Sequence, residues 1–308
     1  MLPLRLRRVA GFEGRLNDAL FQPAVLRPPD KQETLVFFGG DVQDYPEVMQ
    51  AHRDNRNYLK WNLENTARML GQNFPTKHIL VVRPSRIEYK SFSCYDNFVP
   101  SNNAGSPNLF LFLHKCTNTI NWAGLLPCRI SQQLVYLRVK RKAHYGVQQR
   151  NIRPLLFRMG SNALIFFRKL DVLWWRDKLS LDENELTLVA FSKGCVVLNQ
   201  LIYEFHYTKT LTPGDDHMMR FMERISDMYW LDGGHAGGKN TWITARSLLE
   251  TLTRLNVNVY IHVSPYQVHD ESRPWIGREE KAFTNFIHLK SYYPPFCQHL
   301  LRQLASYN

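Results

Sequence analysis

Paired cysteines and long apolar runs are both missing from this chain of 308 residues. The five cysteines form no Cys-x-x-Cys pair and stand far apart: Cys94, Cys116, Cys128, Cys195 and Cys297. Their odd number and their spacing argue against a disulfide framework and a zinc site, and favour a reducing compartment. No run approaches the ~18 consecutive apolar residues of a membrane-spanning helix, so no transmembrane segment is predicted. We predict neither a metal ion nor a cofactor.

Acidic side chains are almost absent from one stretch, and this explains the basic charge of the chain. Positions 101–176 hold twelve Lys or Arg residues and one acid, Asp171, and thus carry +11 of the formal net charge of +12. Because the charge is local, it says little about the rest of the protein, and no nucleic-acid partner is predicted. The 44% hydrophobic content indicates a globular chain, long enough for one large α/β domain or two small ones.

Residues 1–30 form a basic N-terminal segment in which Arg5, Arg7 and Arg8 stand among apolar residues. Such a start is compatible with a mitochondrial presequence, although it has few serines and contains early acids. The alternative is a basic tail that leads directly into the fold.

Apolar runs and helical spacing alternate along the rest of the chain. We predict strands at 34–38, 79–82, 186–191, 228–231 and 257–263, and helices at 57–73, from about 194, at 246–255 and at 277–288. This β-then-α order is typical of an α/β fold with a mostly parallel central sheet and helices on both faces.

The strongest motif is the pentapeptide Ala-Phe-Ser-Lys-Gly at 190–194, between a predicted strand and a predicted helix. It is the Gly-x-Ser-x-Gly nucleophile elbow of α/β-hydrolases with Ala in the first position. In that motif the serine, here Ser192, stands exposed at a strained corner, and the N–H of Lys193 faces the developing oxyanion. The alternative is an ordinary strand-to-helix turn with a capping serine.

The second oxyanion N–H of this fold follows the first strand of the parallel series, where Gly39 and Gly40 stand. A tight turn that needs glycine would give the same residues. The triad acid should follow the serine at the end of a later strand. Asp270 follows the second strand after the elbow, which is the commoner position for the acid, and Asp232 follows the first and is the alternative. A helix N-cap would equally explain Asp270, and a turn before two glycines would equally explain Asp232.

The general base is harder to assign. His262 lies within an apolar strand and is better explained as a core histidine, while His269 is adjacent to Asp270 and points elsewhere in an extended chain. His235 lies in the glycine-rich loop after Asp232, at the edge of the sheet where Ser192 is expected. His288 and His299 come late enough in the chain but lack a strand-loop context.

Segment 233–239, followed by Asn240, also resembles a phosphate-binding loop. Asn240 lacks the hydroxyl that binds Mg²⁺, and the next helix is predicted to begin late, near 244, rather than at Lys239. Nucleotide binding through Gly233 to Lys239 is therefore the less favoured alternative.

Six segments, in order, resemble the chromosome 2 open reading frame 69 family: FFGGDVQDYPEVM, YLKWNLENTARML, SFSCYDNFVPSN, LVAFSKGCVVLNQL, MYWLDGGHAGGKNTWIT and HVSPYQVHDESRPWIGREEKAF. The resemblance implies an α/β-hydrolase-like protein of the mitochondrial matrix with a suspected serine esterase activity and a link to respiratory-chain function. The Gly-Phe-Ser-Lys-Gly motif of the family falls on 190–194 and assigns the nucleophile to Ser192. Its Asp-Gly-Gly-His loop falls on 232–235.

The chain departs from the family pattern in two segments. The basic stretch 104–177 stands where a short helical stretch is expected; it could be a lid over the site, a surface for RNA or anionic lipid, or partly the product of an incorrect gene model, which we favour. The C-terminal segment 284–308 lacks the histidine that the family carries in an Asn-His-Phe context.

We therefore predict an α/β-hydrolase-like domain over residues 31–290 that acts on a small acyl-ester or thioester substrate through Ser192, in mitochondria. The alternative is a catalytically inactive hydrolase fold that binds or assembles an unidentified mitochondrial protein partner.

Overall fold

One seven-stranded sheet organises the computed structural model, which describes residues 3–11, 15–26, 32–107, 181, 183–235 and 240–287. Within these residues the strands are β1 (Leu4–Ala10), β2 (Leu16–Gln22), β3 (Glu33–Phe38), β4 (Lys77–Val82), β5 (Arg86–Glu88), β6 (Phe92–Cys94), β7 (Glu185–Phe191), β8 (Ile225–Leu231) and β9 (Asn258–His262). The sheet has the order β1-β2-β4-β3-β7-β8-β9, and β5 pairs separately with β6.

The directions of the strands identify the fold. β4, β3, β7, β8 and β9 run parallel, while β1 and β2 are antiparallel to their neighbours. After β3 the chain moves to β4 on one side, and the later strands extend the sheet on the other side. The strand order therefore reverses between β3 and β7, and ligands of open α/β sheets bind at the carboxyl ends of the strands at such a point. The predicted α/β-hydrolase-like fold, with a mostly parallel central sheet, is confirmed.

Helices cover both faces of the sheet. They are α1 (Pro46–Gln50), α2 (Leu63–Asn73), α3 (Cys195–Leu211), α4 (Asp216–Glu223), α5 (Arg246–Thr253), α6 (Pro265–Val268) and α7 (Trp275–Ile287). α2 packs on one face, where Leu63, Ala67 and Leu70 join the alternate residues of β3 and β4. α3 and α5 pack on the other face, and every residue of α3 from Cys195 to Phe205 is buried. The centre of the sheet is thus buried on both sides, which explains its continuous apolar strands.

The predicted helix at 57–73 is two elements rather than one. A 3₁₀ helix, Asn55–Trp61, ends before Asn62, whose extended backbone interrupts the helical path. The Asn62 side chain then accepts a hydrogen bond of 2.9 Å from the N–H of Asn65 and caps α2. The other predicted strands and helices lie where the sequence indicates, within a few residues at their ends.

The N-terminal residues contribute two strands that the sequence did not indicate. β1 and β2 extend the sheet beyond β4, so the folded domain begins earlier than the predicted boundary at residue 31. At the other end, 284–287 form the last turn of α7 rather than a separate tail. Most of the segment predicted as an insertion, from 108 onward, lies outside the described residues, as do 288–308.

Candidate active site

Ser192 lies at the predicted corner between a strand and a helix. β7 ends at Phe191, a 3₁₀ turn covers Ser192–Gly194, and α3 follows at once. Ser192 has a φ of 49°, in the left-handed region that costs a residue with a side chain about 1–2 kcal/mol. Such strain persists only where the surrounding structure imposes it, and it is found mostly at functional sites.

Gly194 allows the elbow to pack directly against the end of β3. A Cβ atom at this position would lie 2.2 Å from the carbonyl oxygen of Phe38 and 2.7 Å from that of Gly39. Both neighbours are backbone atoms and cannot rotate away. The second small residue of the motif, Ala190, is fully buried in β7. The glycine is therefore required by close approach rather than by its own backbone angle, since its φ is −59°.

Gly40, in the loop after the neighbouring strand β3, lies close to Ser192. A Cβ on Gly40 would lie 3.1 Å from the Cβ of Ser192, so the two predicted oxyanion elements do meet at the reversal of strand order. The N–H of Gly40, however, donates a 2.7 Å hydrogen bond to Oε1 of Gln43. The carbonyls of Gly39 and Gly40 accept from the hydroxyls of Tyr95 and Ser93, at 3.0 and 2.9 Å. The loop is thus held by side chains from both sides.

Asp232 follows β8, next to the elbow, and is also strained, with a φ of 52°. Its two carboxylate oxygens accept hydrogen bonds from the N–H and the hydroxyl of Ser264, each of 2.8 Å. Burial raises the pKa of Asp232 above the ordinary range, and the two bonds from Ser264 oppose this shift. Asp232 therefore joins the end of β8 to the end of β9.

His235 is buried in the loop after Asp232, and that loop contacts the elbow. The N–H of Gly234 lies 3.3 Å from the carbonyl oxygen of Ser192. Burial lowers the pKa of His235 to about 4, and the positive charges of Lys193 and Arg273 add to this effect. The imidazole is consequently neutral at pH 7, the state that a general base requires. Its Nε2 lies 3.4 Å from the carbonyl oxygen of Asn240.

Asp270 lies in the turn before α7. Its carboxylate accepts from the N–H and hydroxyl of Ser272, at 2.9 and 2.5 Å, and from Nε of Arg273 at 2.6 Å. These hydrogen bonds lower its pKa to about 2. The contacts are local, as expected of a residue that shapes a helix start, and none of them joins Asp270 to Ser192 or to a described histidine.

The other candidate histidines lie elsewhere in the fold or outside the described residues. His262 ends β9, and burial lowers its pKa. His269 is exposed after α6. His288 and His299 lie outside the described residues.

The glycine-rich loop after β8 does not have the geometry of a phosphate-binding loop where it is described. Residues 236–239, including Lys239, lie outside the described residues. The N–H groups of Asn240, Thr241 and Trp242 all donate to the carboxylate of Glu279, at 2.9, 2.7 and 3.2 Å. These donors are therefore occupied by an anionic side chain, and α5 begins only at Arg246.

The motifs did not indicate the side chains that hold the Gly39–Gly40 loop, the partner of Asp232 or the burial of the Lys193 side chain. Gln43, Ser93 and Tyr95 hold the Gly39–Gly40 loop, Ser264 binds Asp232, and Lys193 is completely buried. Each contact joins segments far apart in the sequence, except that of Gln43, which follows Gly40 by three positions without a recognisable pattern.

In the described part of the chain no three His, Cys, Asp or Glu side chains gather as metal ligands, and no helix is long and apolar enough to cross a membrane.

Comparison with known proteins identifies relatives over most of the chain. A mouse protein named "Mitochondrial protein C2orf69 homolog" is 36% identical over 84% of this chain and 71% of its own length. The human "Mitochondrial protein C2orf69" is 35% identical over 92% of this chain and 74% of its own length. Among solved structures, esterase Est22 is similar at 11% identity over 92% of this chain and 58% of that chain, with a TM-score of 0.31. This score is low, so the fold assignment rests on the strand order.

The family model described as C2orf69 matches residues 5–121 and 129–292, more than half of the chain. The chain therefore belongs to the C2orf69 family.

Proposed function

We propose that this protein is a mitochondrial serine hydrolase that cleaves a small ester or thioester through an acyl-enzyme on Ser192. The observation that carries the proposal is the strained backbone of Ser192 at a strand-to-helix corner, where the strand order of the sheet reverses. An ordinary capping serine precedes its helix without a positive φ. Strain at this particular residue is what a nucleophile elbow requires.

The reaction would proceed in two steps on this geometry. The Ser192 oxygen attacks the acyl carbon while a base takes the hydroxyl proton, and the alcohol or thiol leaves with that proton as the acyl-enzyme forms. Water then attacks the acyl carbon and gives a proton to the same base; the bond from that carbon to the Ser192 oxygen breaks, the base returns the proton to this oxygen, and the acid is released. The N–H of Lys193 is one oxyanion donor. The N–H of Gly40 can become the second only when the substrate oxygen replaces Gln43 as its acceptor.

His235 is the base that the described residues support best. It follows Asp232 in the order serine, acid, histidine that hydrolases of this fold use. It is neutral at pH 7, and the loop that carries it bonds to the carbonyl of Ser192 through Gly234. In this assignment Asp232 anchors the loop that carries His235 through its two hydrogen bonds from Ser264. Asp270, the acid that strand counting predicts, becomes the alternative here, because its contacts are with Ser272 and Arg273 in its own turn.

The test is hydrolysis of p-nitrophenyl butyrate and of a butyryl thioester by the purified protein. Replacement of Ser192 by Ala should reduce the rate at least about 10³-fold, because the covalent step is lost. Ser247→Ala, at an exposed serine of α5, is the matched control and should leave the rate unchanged. Full activity in Ser192→Ala would remove the nucleophile assignment.

A second candidate function is that of a catalytically inactive hydrolase fold that binds or assembles a mitochondrial protein partner. The specific observation in its favour is that the candidate groups are already engaged: Asp232 by Ser264, and the Gly40 N–H by Gln43. This candidate predicts a folded protein whose Ser192 does not react with a serine-directed phosphonate.

The proposed location is the mitochondrion, and within it the matrix. It is supported by the names of the mouse and human relatives, which call them mitochondrial, and by the family resemblance, which also suggests a link to the respiratory chain. Fractionation of cells that express the tagged protein, followed by protease treatment of mitochondria and mitoplasts, tests it. Protease protection until the inner membrane is opened is the expected result.

A further inference from the structure

Lys193 directs its side chain into the interior, next to the proposed nucleophile. The residue is completely buried, and its Nζ donates a hydrogen bond to the carbonyl oxygen of Gly105. A buried ammonium group is strongly unfavourable unless partners compensate for lost water. A methionine of similar length would fill the same space without this penalty, so the charge itself needs an explanation.

The charged groups that act on Lys193 come from three elements. Asp41, in the loop after β3, favours the ammonium form; Asp96, in the turn after β6, acts in the same direction, and Arg86 on β5 opposes them. Burial is the largest influence and lowers the pKa of Lys193, while burial raises the pKa of Asp41. Each charge thus offsets part of the desolvation of the other.

Asp41 connects this ammonium to the proposed oxyanion loop. Its Oδ1 accepts a 2.8 Å hydrogen bond from the N–H of Ser93, and the Ser93 hydroxyl donates to the carbonyl of Gly40 at 2.9 Å. Lys193 therefore interacts with two segments. It attracts Asp41 in the loop at 39–41 through charge, and it binds segment 101–107 through the hydrogen bond to Gly105.

We propose that Lys193 is a positioning residue whose buried ammonium, bound to the Gly105 carbonyl and attracted by the charge of Asp41, fixes the loop at 39–41 and segment 101–107 against the Ser192 elbow. The catalytic part of this proposal, though not its structural part, rests on the proposed hydrolase function. The positive charge has a further effect on His235. Burial is the largest cause of the lowered pKa of His235, and the charges of Lys193 and Arg273 lower it further, so Lys193 helps to keep the imidazole neutral. Loss of packing alone would not produce that effect.

The test compares Lys193→Met with Lys209→Met, a substitution of an exposed lysine on the same α3 helix. Hydrogen exchange of peptides covering 39–45 and 101–107 should become at least about tenfold faster in Lys193→Met, because local opening is no longer opposed by the buried contact. The rate of phosphonate labelling at Ser192 should fall at least about tenfold, since the oxyanion donors lose their fixed positions. The pH below which the labelling rate declines should be higher in Lys193→Met than in wild type, because removal of the Lys193 charge raises the pKa of His235.

The two proposals can fail separately. Unchanged exchange in both segments of a folded Lys193→Met protein would overturn the positioning role. Accelerated exchange in Lys193→Met, together with a wild-type protein that does not react with the phosphonate, would support the positioning role and reject the hydrolase function. If Lys193→Met does not fold, Asp41→Asn replaces it: the shape is kept, the attracting charge is lost, and unchanged exchange in the 39–45 peptide would overturn the proposal.

Discussion

Gly194→Ala is the substitution that most directly tests the packing of the elbow. The backbone of Gly194 is helical, so on local grounds alanine should be stabilising by about 0.5–1 kcal/mol. The added Cβ, however, would lie 2.2 Å from the Phe38 oxygen and 2.7 Å from the Gly39 oxygen, where contact distances of roughly 3.4 Å or more are ordinary. The elbow must therefore separate from the end of β3 by about 1 Å, and forced overpacking costs about 1–3 kcal/mol.

We expect a net loss of about 1 kcal/mol in the free energy of unfolding of Gly194→Ala, since the clash outweighs the local gain. Urea denaturation followed by far-ultraviolet circular dichroism measures it, with the midpoint and slope compared to wild type. Gly214→Ala is the matched control, because a Cβ there meets no heavy atom within 4 Å. If Gly194→Ala is as stable as Gly214→Ala, the close approach between the elbow and β3 does not exist, and the site described above is wrong.

Three further predictions concern strain, titration and the loop after β8. Ser192→Gly should be more stable than Ser192→Ala by about 1 kcal/mol in urea denaturation, because glycine tolerates a positive φ and alanine does not; equal stability would mean that Ser192 is unstrained. His235 has a pKa lowered from 6.5 to about 4, so the unfolded chain binds more protons and stability should fall as pH decreases through this window, by up to about 3 kcal/mol. Thermal unfolding of His235→Gln between pH 4 and 7 should show a weaker dependence than wild type, and an identical dependence would contradict the assignment. Glu279→Ala should expose the loop at 240–242 to limited proteolysis and lower stability by about 1–3 kcal/mol, because the partly buried N–H groups of Thr241 and Trp242 lose their acceptor. Glu271→Ala, at an exposed acid before α7, should leave the cleavage pattern unchanged, and equal sensitivity of the two variants would contradict the role of Glu279.

The elbow could be predicted from the sequence because its determinants are local. An apolar strand, a serine between small residues and an apolar helix occur within one stretch, and the structure has β7, the turn and α3 at these positions. The parallel order of the strands followed from the alternation of elements. The edge position of β1 did not, because Arg5, Arg7 and Arg8 in an exposed edge strand give the same composition as a basic leader.

The contacts that define the site could not be predicted in the same way. Ser264 binds Asp232 across 32 positions, and Ser93 binds Gly40 across 53 positions, so both contacts exist only once the strand order is known. Lys193 illustrates the same difficulty. The motif explains its backbone N–H, but nothing in the sequence indicates that its side chain is buried against Gly105. Asp270 is the acid that strand counting favours. Its carboxylate is instead bonded to Arg273, three positions later in the same turn, and so needs no distant partner.

The most direct test of the central claim is labelling of the folded protein with a fluorescent fluorophosphonate, followed by mass spectrometry of the labelled peptide. The hydrolase proposal predicts a single adduct on Ser192 that disappears in Ser192→Ala and forms much more slowly in His235→Gln. A folded wild-type protein that acquires no adduct, or acquires it on a different serine, would contradict the claim that Ser192 is an activated nucleophile.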